Sequence, residues 1–311
     1  MKVLVTGANG FLGKFVSKKL IKDGHSVIAT DIQNHFLDYE NSETAAYTYY
    51  CIDLTQSFDQ IIPLIAEVDV VVHLAAIVGI QNQIAPALRM FDVNIVAAGN
   101  IVRFCSEFDK YLIFASTSEI FGKNPESPWN ENSECEFGST SENRWAYGMG
   151  KALIEELIFG LAESEGLRAT CIRFFNLYGP GQGYMYLIPK WIKAAMQESP
   201  IEIYGSGSQQ FSFTYIEDAA KFIVALVAST ITGPINFGSI ENISILHLSE
   251  VFKDFFPNLI VLPGLPNREG EFSEYSRIPS SIRSDHPCIS VPLTPLKDGL
   301  CRTVAFYKKS H

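Results

Sequence analysis

Lys2-Val3-Leu4-Val5-Thr6-Gly7-Ala8-Asn9-Gly10-Phe11-Leu12-Gly13 opens the chain. Its first five residues form a short apolar, β-rich run. Glycines follow at positions 7, 10 and 13, and then Phe15, Val16, Leu20 and Ile21 recur on one side of a helical pattern. A strand, a glycine turn and a helix make the first unit of a dinucleotide-binding fold. The glycines let the backbone approach a pyrophosphate, and the helix N-terminus offers free N–H groups and a favourable dipole. The spacing is Gly-x-x-Gly-x-x-Gly rather than the commoner Gly-x-Gly-x-x-Gly. A second run, Ser26-Val27-Ile28-Ala29-Thr30, ends in Asp31. That acid stands about 20 residues past the glycines, where a carboxylate accepts from a ribose 2′-hydroxyl and repels a 2′-phosphate. The expected cofactor is therefore NAD rather than NADP.

Strand and helix patterns alternate beyond this unit. Strands are expected at Tyr47–Cys51, Val68–Leu74, Tyr111–Ala115 and Arg168–Phe174. Helices are expected at Phe58–Ile65, Pro86–Glu107 and from Tyr147 to about Glu165. Continuous apolar strands separated by helices imply a parallel sheet covered on both faces. From about Asn176 the rhythm breaks, and Gly, Pro, Ser and aromatic residues rise. The fold class is α/β: a Rossmann-type doubly wound parallel sheet with a smaller α/β C-terminal substrate lobe. Residues 1–175 are read as the NAD-binding part. Residues 176–311 are read mainly as the substrate lobe, with some segments returning to the first part. No repeat or linker separates the two, and a cleft between packed lobes is a usual small-molecule site.

Composition narrows the function. At 311 residues the chain can bury a substantial core. Lys and Arg number 24 against 34 Asp and Glu, a net charge of −10. That balance argues against nucleic acid or an anionic membrane as partner. No apolar run reaches the roughly 18 residues of a membrane span. Met1 leads straight into a strand, so no signal peptide and a cytoplasmic setting are expected. Cys51, Cys105, Cys135, Cys171, Cys288 and Cys301 show no metal or redox spacing, which suits a reducing compartment. The six histidines show no metal spacing either, so no metal is expected.

The chemistry concentrates in Arg144-Trp145-Ala146-Tyr147-Gly148-Met149-Gly150-Lys151. A four-residue step puts Tyr147 and Lys151 on one helix face. An ammonium beside a phenol is expected to stabilise the phenolate and lower its pKa. Such a tyrosine can exchange the proton of a sugar or alcohol hydroxyl while a hydride moves.

These residues, taken with others in order along the chain, resemble an extended short-chain dehydrogenase/reductase of the nucleotide-sugar epimerase/dehydratase/decarboxylase group. The resemblance rests on Thr6–Gly13, Asp53-Leu54, His73-Leu74-Ala75-Ala76, Asn94 and Ser116-Thr117-Ser118-Glu119-Ile120-Phe121-Gly122. It continues through Tyr147-x3-Lys151, Arg173-Phe174-Phe175-Asn176-x-Tyr178-Gly179-Pro180 and Phe213-Thr214-Tyr215. It implies that Gly7, Asn9, Gly10, Phe11, Leu12 and Gly13 cradle the NAD pyrophosphate and that Asp31 holds the ribose. Asp53 and Leu54 would flank the adenine. Leu74, Ala75, Ala76 and Asn94 would line the cofactor cleft, and Lys151 would also reach the nicotinamide ribose. Thr117 would bind the substrate 4-hydroxyl and Tyr147 would deprotonate it, giving a 4-keto sugar. Ser116, Ser118, Asn176, Leu187, Lys190, Tyr215, Arg277 and Arg283 are the expected substrate contacts. The expected substrate is a nucleotide-diphosphate sugar, UDP-linked, and a homodimer through the helices 86–107 and 146–165 is implied.

Thr117-Ser118-Glu119, with Arg144-Trp145 and Arg277-Ile278-Pro279, resembles the UDP-glucuronate decarboxylases. Glu119 and Arg277 would then serve the steps that follow C4 oxidation. A 4-epimerase comes next, then a 4-ketoreductase or 4,6-dehydratase; a catalytically silent NAD-binding protein and a non-sugar substrate stay open. Two departures stand out: Phe211 and Gly181 occupy positions where the family often has arginine.

Overall fold

The computed structural model describes residues 1–34, 47–78, 86–229, 231–265, 278–279, 285–286 and 289–310. Strand β1 (Lys2–Thr6) leads through the glycine turn into α1 (Phe11–Lys22), then β2 (Ser26–Asp31) and β3 (Tyr47–Cys51). A short α2 (Ile62–Ala66) precedes β4 (Val70–His73). Next come α3 (Ala87–Phe91), a π-helical stretch (Asp92–Ala97), α4 (Ala98–Glu107), β5 (Tyr111–Thr117) and α5 (Ala146–Glu165). Strand β6 (Ala169–Phe174) is followed by β7 (Leu177–Tyr178), α6 (Leu187–Met196), β8 (Ile201–Tyr204), β9 (Gln210–Ser212) and β10 (Thr214–Tyr215). The chain continues through α7 (Ile216–Val227), β11 (Gly233–Phe237), β12 (Asn242–Ser244), α8 (Ile245–Lys253) and β13 (Val261–Leu265), and α9 spans Leu296–Lys309.

Seven strands form one sheet in the order β11-β6-β5-β4-β1-β2-β3, and every pairing is parallel. Alternate residues of these strands serve two cores, because successive side chains point to opposite faces. Val3, Val5, Val70, Val72, Ile113 and Ile172 pack with Val16 and Leu20 of α1 and Phe222 and Ile223 of α7. Leu4, Val71, Leu112, Phe114 and Cys171 pack with Ile65, Ile101, Val102, Ile154 and Ile158 from α2, α4 and α5. A third core gathers Trp191, Ile203, Leu248, Phe252, Leu300 and Val304 from the later elements.

The strand order reverses direction between β1 and β4, and ligands of such sheets bind at that switch point, beyond the strand C-termini. Gly7, Asp31, Leu74, Thr117 and Asn176 all lie at or just past C-terminal strand ends. Two elements differ from expectation. The helix expected over 86–107 carries a π-helical stretch at Asp92–Ala97. The pattern at 58–65 resolves into a 3-10 turn, Phe58–Gln60, and then α2, with Pro63 at the start of the helix where its missing N–H costs nothing. Among the described residues, no helix is long and apolar enough to cross a membrane, and no cluster of His, Cys, Asp and Glu could hold a metal ion.

Candidate active site

The glycine turn is built for close approach. Gly7 has φ +69°, and a Cβ there would lie 2.7 Å from the Ala75 nitrogen. The turn therefore sits directly on the loop after β4. Gly13 lies against the Gly7 carbonyl in the same way, leaving no room for a side chain. Gly10 caps α1 with no side-chain hydrogen bond, so the first N–H groups of the helix remain for an anion. Phe11 starts α1 with its ring edge-on to Phe15, and Leu12 packs towards the core beneath. The Asn9 N–H donates to Asp31 Oδ2 at 2.9 Å, which sets the carboxylate beside the turn. These residues fit a dinucleotide: a phosphate cradle that side chains would fill, and an acid positioned for a ribose.

Asp53 accepts from the Thr55 N–H at 2.9 Å and from Arg89 Nη2 at 2.9 Å. Burial works to raise its pKa, but the Thr55 and Arg89 donors outweigh it and lower the carboxyl. Arg89, which sequence reasoning passed over, thus ties α3 to the expected adenine edge, where Leu54 is buried. Asn94 lies in the π-helical stretch. Its carboxamide accepts from the Ile77 N–H at 2.9 Å and donates to the Ile77 carbonyl at 2.8 Å. It therefore holds the loop of Leu74, Ala75 and Ala76.

Tyr147 and Lys151 occupy the first turns of α5, both buried. Lys151 Nζ donates to the Ala115 carbonyl at 2.7 Å and lies 4.4 Å from the centre of the Phe114 ring. Burial pulls its pKa down to about 8, while Glu155 and Cys171 act to raise it. The expected lowering of Tyr147 is not found in the chain by itself. Burial pushes the phenol up, Glu119 and Tyr186 push it further, and a hydrogen bond with Thr117 opposes them. The physical reason is first solvent exclusion and then the Glu119 carboxylate near the phenol, while Lys151 directs a proton to the Ala115 carbonyl. Tyr186, another residue missed in the sequence, caps α6 with its phenol raised by burial and by Glu119.

Thr117 ends β5, and its hydroxyl accepts from the Glu119 N–H at 3.2 Å. Gly148 lets the helix meet this turn, since a Cβ there would overlap the Glu119 carbonyl. Glu119 is ion-paired with Arg144 at 2.6 Å. Ser118 is buried.

Several expected substrate contacts face elsewhere. The Ser116 hydroxyl donates to Glu155 in a buried contact, because it projects towards α5. Asn176 Nδ2 donates to the Ser212 carbonyl at 3.1 Å, joining the chain after β6 to the end of β9. Tyr215 is 1% exposed and packs edge-on against Tyr178 in the third core. Leu187 borders that core, and Lys190 forms a long, exposed pair with Glu202 at 3.8 Å. Phe211, at the position where the family often has arginine, packs on Phe213 with ring centres 6.2 Å apart. Arg277 and Arg283 lie outside the described residues; next to the first, the Trp129 N–H donates to the Ile278 carbonyl at 3.0 Å.

A sequence model of the NAD dependent epimerase/dehydratase family matches residues 3–238. The chain belongs to that family. A UDP-N-acetyl-alpha-D-glucosaminuronate decarboxylase of Bacillus cytotoxicus is 34% identical over 256 residues, covering 80% of this chain and 78% of its own. UDP-glucuronic acid decarboxylase 1 of Danio rerio is 27% identical, covering 99% of this chain and 73% of its own. Among solved structures, UDP-N-acetylglucosamine 4-epimerase from Methanobrevibacter ruminantium, in complex with UDP-N-acetylmuramic acid, superposes with a TM-score of 0.87. It is 28% identical and covers 100% of this chain and 99% of its own. This member of the epimerase/dehydratase family is an NAD-dependent enzyme of the extended short-chain dehydrogenase/reductase type.

Proposed function

We propose that the protein decarboxylates a UDP-linked uronate, UDP-glucuronate or its 2-acetamido counterpart, through a 4-keto intermediate. The observation that carries this reading is Glu119. A carboxylate held by Arg144 stands next to Tyr147, where C4 oxidation alone would need no acid. The similarity to two uronate decarboxylases supports it. NAD, when bound, would accept the hydride from sugar C4 and return it when the ketone is reduced. Thr117 binds the 4-hydroxyl and Tyr147 takes its proton. Lys151 holds the nicotinamide ribose and, with its ammonium, supports the tyrosinate. The C4 ketone then makes the C6 carboxylate labile: the C5–C6 bond breaks, CO2 leaves, and the electron pair enters the ketone as an enolate. Glu119 manages the proton that C5 gains. Tyr147 returns its proton to the C4 oxygen when the ketone is reduced. Gly7, Gly10, Gly13, Asp31, Asp53, Leu74, Ala75 and Ala76 bind the cofactor. Ser118 would border the substrate, and Arg277 and Arg283 are the further contacts that the resemblance implies.

A 4-epimerase is the second reading, favoured by the full-length superposition on the Methanobrevibacter ruminantium 4-epimerase. We further propose a homodimer. Leu88, Phe91 and Val96 from the α3–α4 run are 72%, 49% and 46% exposed, and Leu153 of α5 is 55% exposed. Two adjacent apolar helix faces of this kind suit a four-helix contact. The cytoplasm is the proposed setting, supported by free thiols at Cys51, Cys105, Cys135, Cys171 and Cys301.

The deciding experiment incubates the purified enzyme with each UDP-uronate and follows mass and NMR. Loss of CO2 establishes decarboxylation. Unchanged mass with inverted C4 establishes the epimerase and removes the role given to Glu119.

A further inference from the structure

Behind Lys151 lies a buried ion pair that the reaction chemistry does not touch. Glu155 stands one helical turn beyond Lys151, which itself stands one turn beyond Tyr147, so the three share a face of α5. Glu155 is 3% exposed and Arg173 of β6 is 7% exposed. Arg173 Nη2 donates to Glu155 Oε2 at 2.7 Å, and its Nε reaches the two carboxylate oxygens at 3.2 and 3.1 Å. The Ser116 hydroxyl donates to the same carboxylate. Arg173 Nη1 also donates to the Glu131 carbonyl at 2.7 Å, and its guanidinium lies 5.3 Å from the centre of the Phe121 ring.

A buried pair of this sort is weak support for stability, since well-packed apolar residues often do as well. Its position gives it another use. We propose that Glu155, held by Arg173 and Ser116, is the positioning residue for Lys151: it is the counter-charge that keeps the ammonium ionised and aimed at the Ala115 carbonyl and the cofactor ribose. This rests on the role given above to Lys151.

A lysine buried against Phe114 loses its proton readily unless an anion faces it. Glu155 acts to raise Lys151 against the dominant effect of burial. Tyr147 shares the helix face, and the other titratable groups that interact with the ammonium are Cys171 on β6 and His73 on β4. Burial keeps the Cys171 thiol protonated and pulls His73 down to about 3, so neither supplies charge near neutrality. Arg173 and Ser116 both donate to the Glu155 carboxylate, the guanidinium in charge-assisted hydrogen bonds. Cys135 also feels both charges of the pair.

The test is NAD+ affinity against pH, by calorimetry on the full-length enzyme freed of nucleotide. It needs no sugar substrate, so failure of the decarboxylase reading leaves it intact. Wild-type affinity is expected to fall as pH rises through about 8, where Lys151 loses its proton. In Glu155→Gln the midpoint moves down by about one pH unit, a tenfold weaker hold on that proton. Glu155→Asp keeps the charge and restores most of the wild-type midpoint. The double variant Glu155→Gln/Arg173→Gln removes both charges of the pair, so Arg173 is not left unpaired where the single variant fails to fold, and its midpoint also moves down. A midpoint unchanged in the folded variants overturns the proposal, as does a wild-type affinity that is flat across this range.

Discussion

Tyr147 and Lys151 lie one helical turn apart, yet in the chain by itself each is pushed towards its neutral form. Burial raises the phenol and lowers the ammonium to about 8. Tyr147→Phe is expected to reduce turnover by about 10²–10⁴-fold, the usual scale of a positioned acid–base group, with NAD retained. Rapid-mixing absorbance of NADH and release of NAD on denaturation check both halves of that statement. Glu119→Gln is expected to stop the reaction after C4 oxidation, with NADH or a 4-keto sugar accumulating. Lys151 also bears on stability. Its folded pKa is lowered, so between about 8 and the ordinary lysine value the unfolded chain binds the extra proton. Stability from this group is therefore lowest below about 8 and is regained as pH rises through that window. Lys151→Met is then expected to raise Tm at neutral pH by about 2–4 °C per kcal/mol recovered while it abolishes turnover. A scan showing a lower Tm would contradict this account.

At the scale of elements, contacts between backbone segments decide whether the site assembles. Gly148 brings the first turn of α5 against the Glu119 carbonyl, so Gly148→Ala must displace one of them. Overpacking of this kind costs about 1–3 kcal/mol. The displaced segment carries Thr117 and Glu119, so activity is expected to fall at least as far as stability; parallel denaturation and rate measurements test that. Asn94 works from the π-helical stretch on the Ile77 backbone. Asn94→Ala leaves those two backbone groups without the carboxamide, a penalty of about 1–3 kcal/mol when such groups stay buried. Faster NAD dissociation, measured by fluorescence, is the expected consequence. An unchanged rate would mean that the loop holds itself. The sequence marked Asn94 as a cofactor-cleft residue. Its service to Ile77 was not legible there, because it depends on a helix meeting a loop across a gap of 17 residues.

At the scale of the whole molecule, the exposed apolar faces of the α3–α4 run and α5 carry a prediction about assembly. Replacing Leu153 and Leu157, 55% and 39% exposed, by glutamate is expected to convert the proposed dimer to monomers in light scattering. Wild-type protein that is already monomeric would remove that proposal. The parallel sheet and the glycine turn follow from local sequence, because buried strands, helix periodicity and glycine spacing are patterns of neighbouring residues. The same patterns singled out Asp31, Tyr147 and Lys151, at a strand end and on one helical step, while Thr117 came from the family resemblance. Tertiary structure alone decided the rest. It turned Ser116 towards Glu155, buried Tyr215 in the third core, and paired Arg144 with Glu119 and Arg89 with Asp53. It also set the charges of Tyr147 and Lys151, whose pKa values respond to solvent exclusion and to groups brought in from other strands and helices. Sequence order fixes which side chains share a face; which groups confront that face, and how dry it becomes, is settled only when distant segments pack.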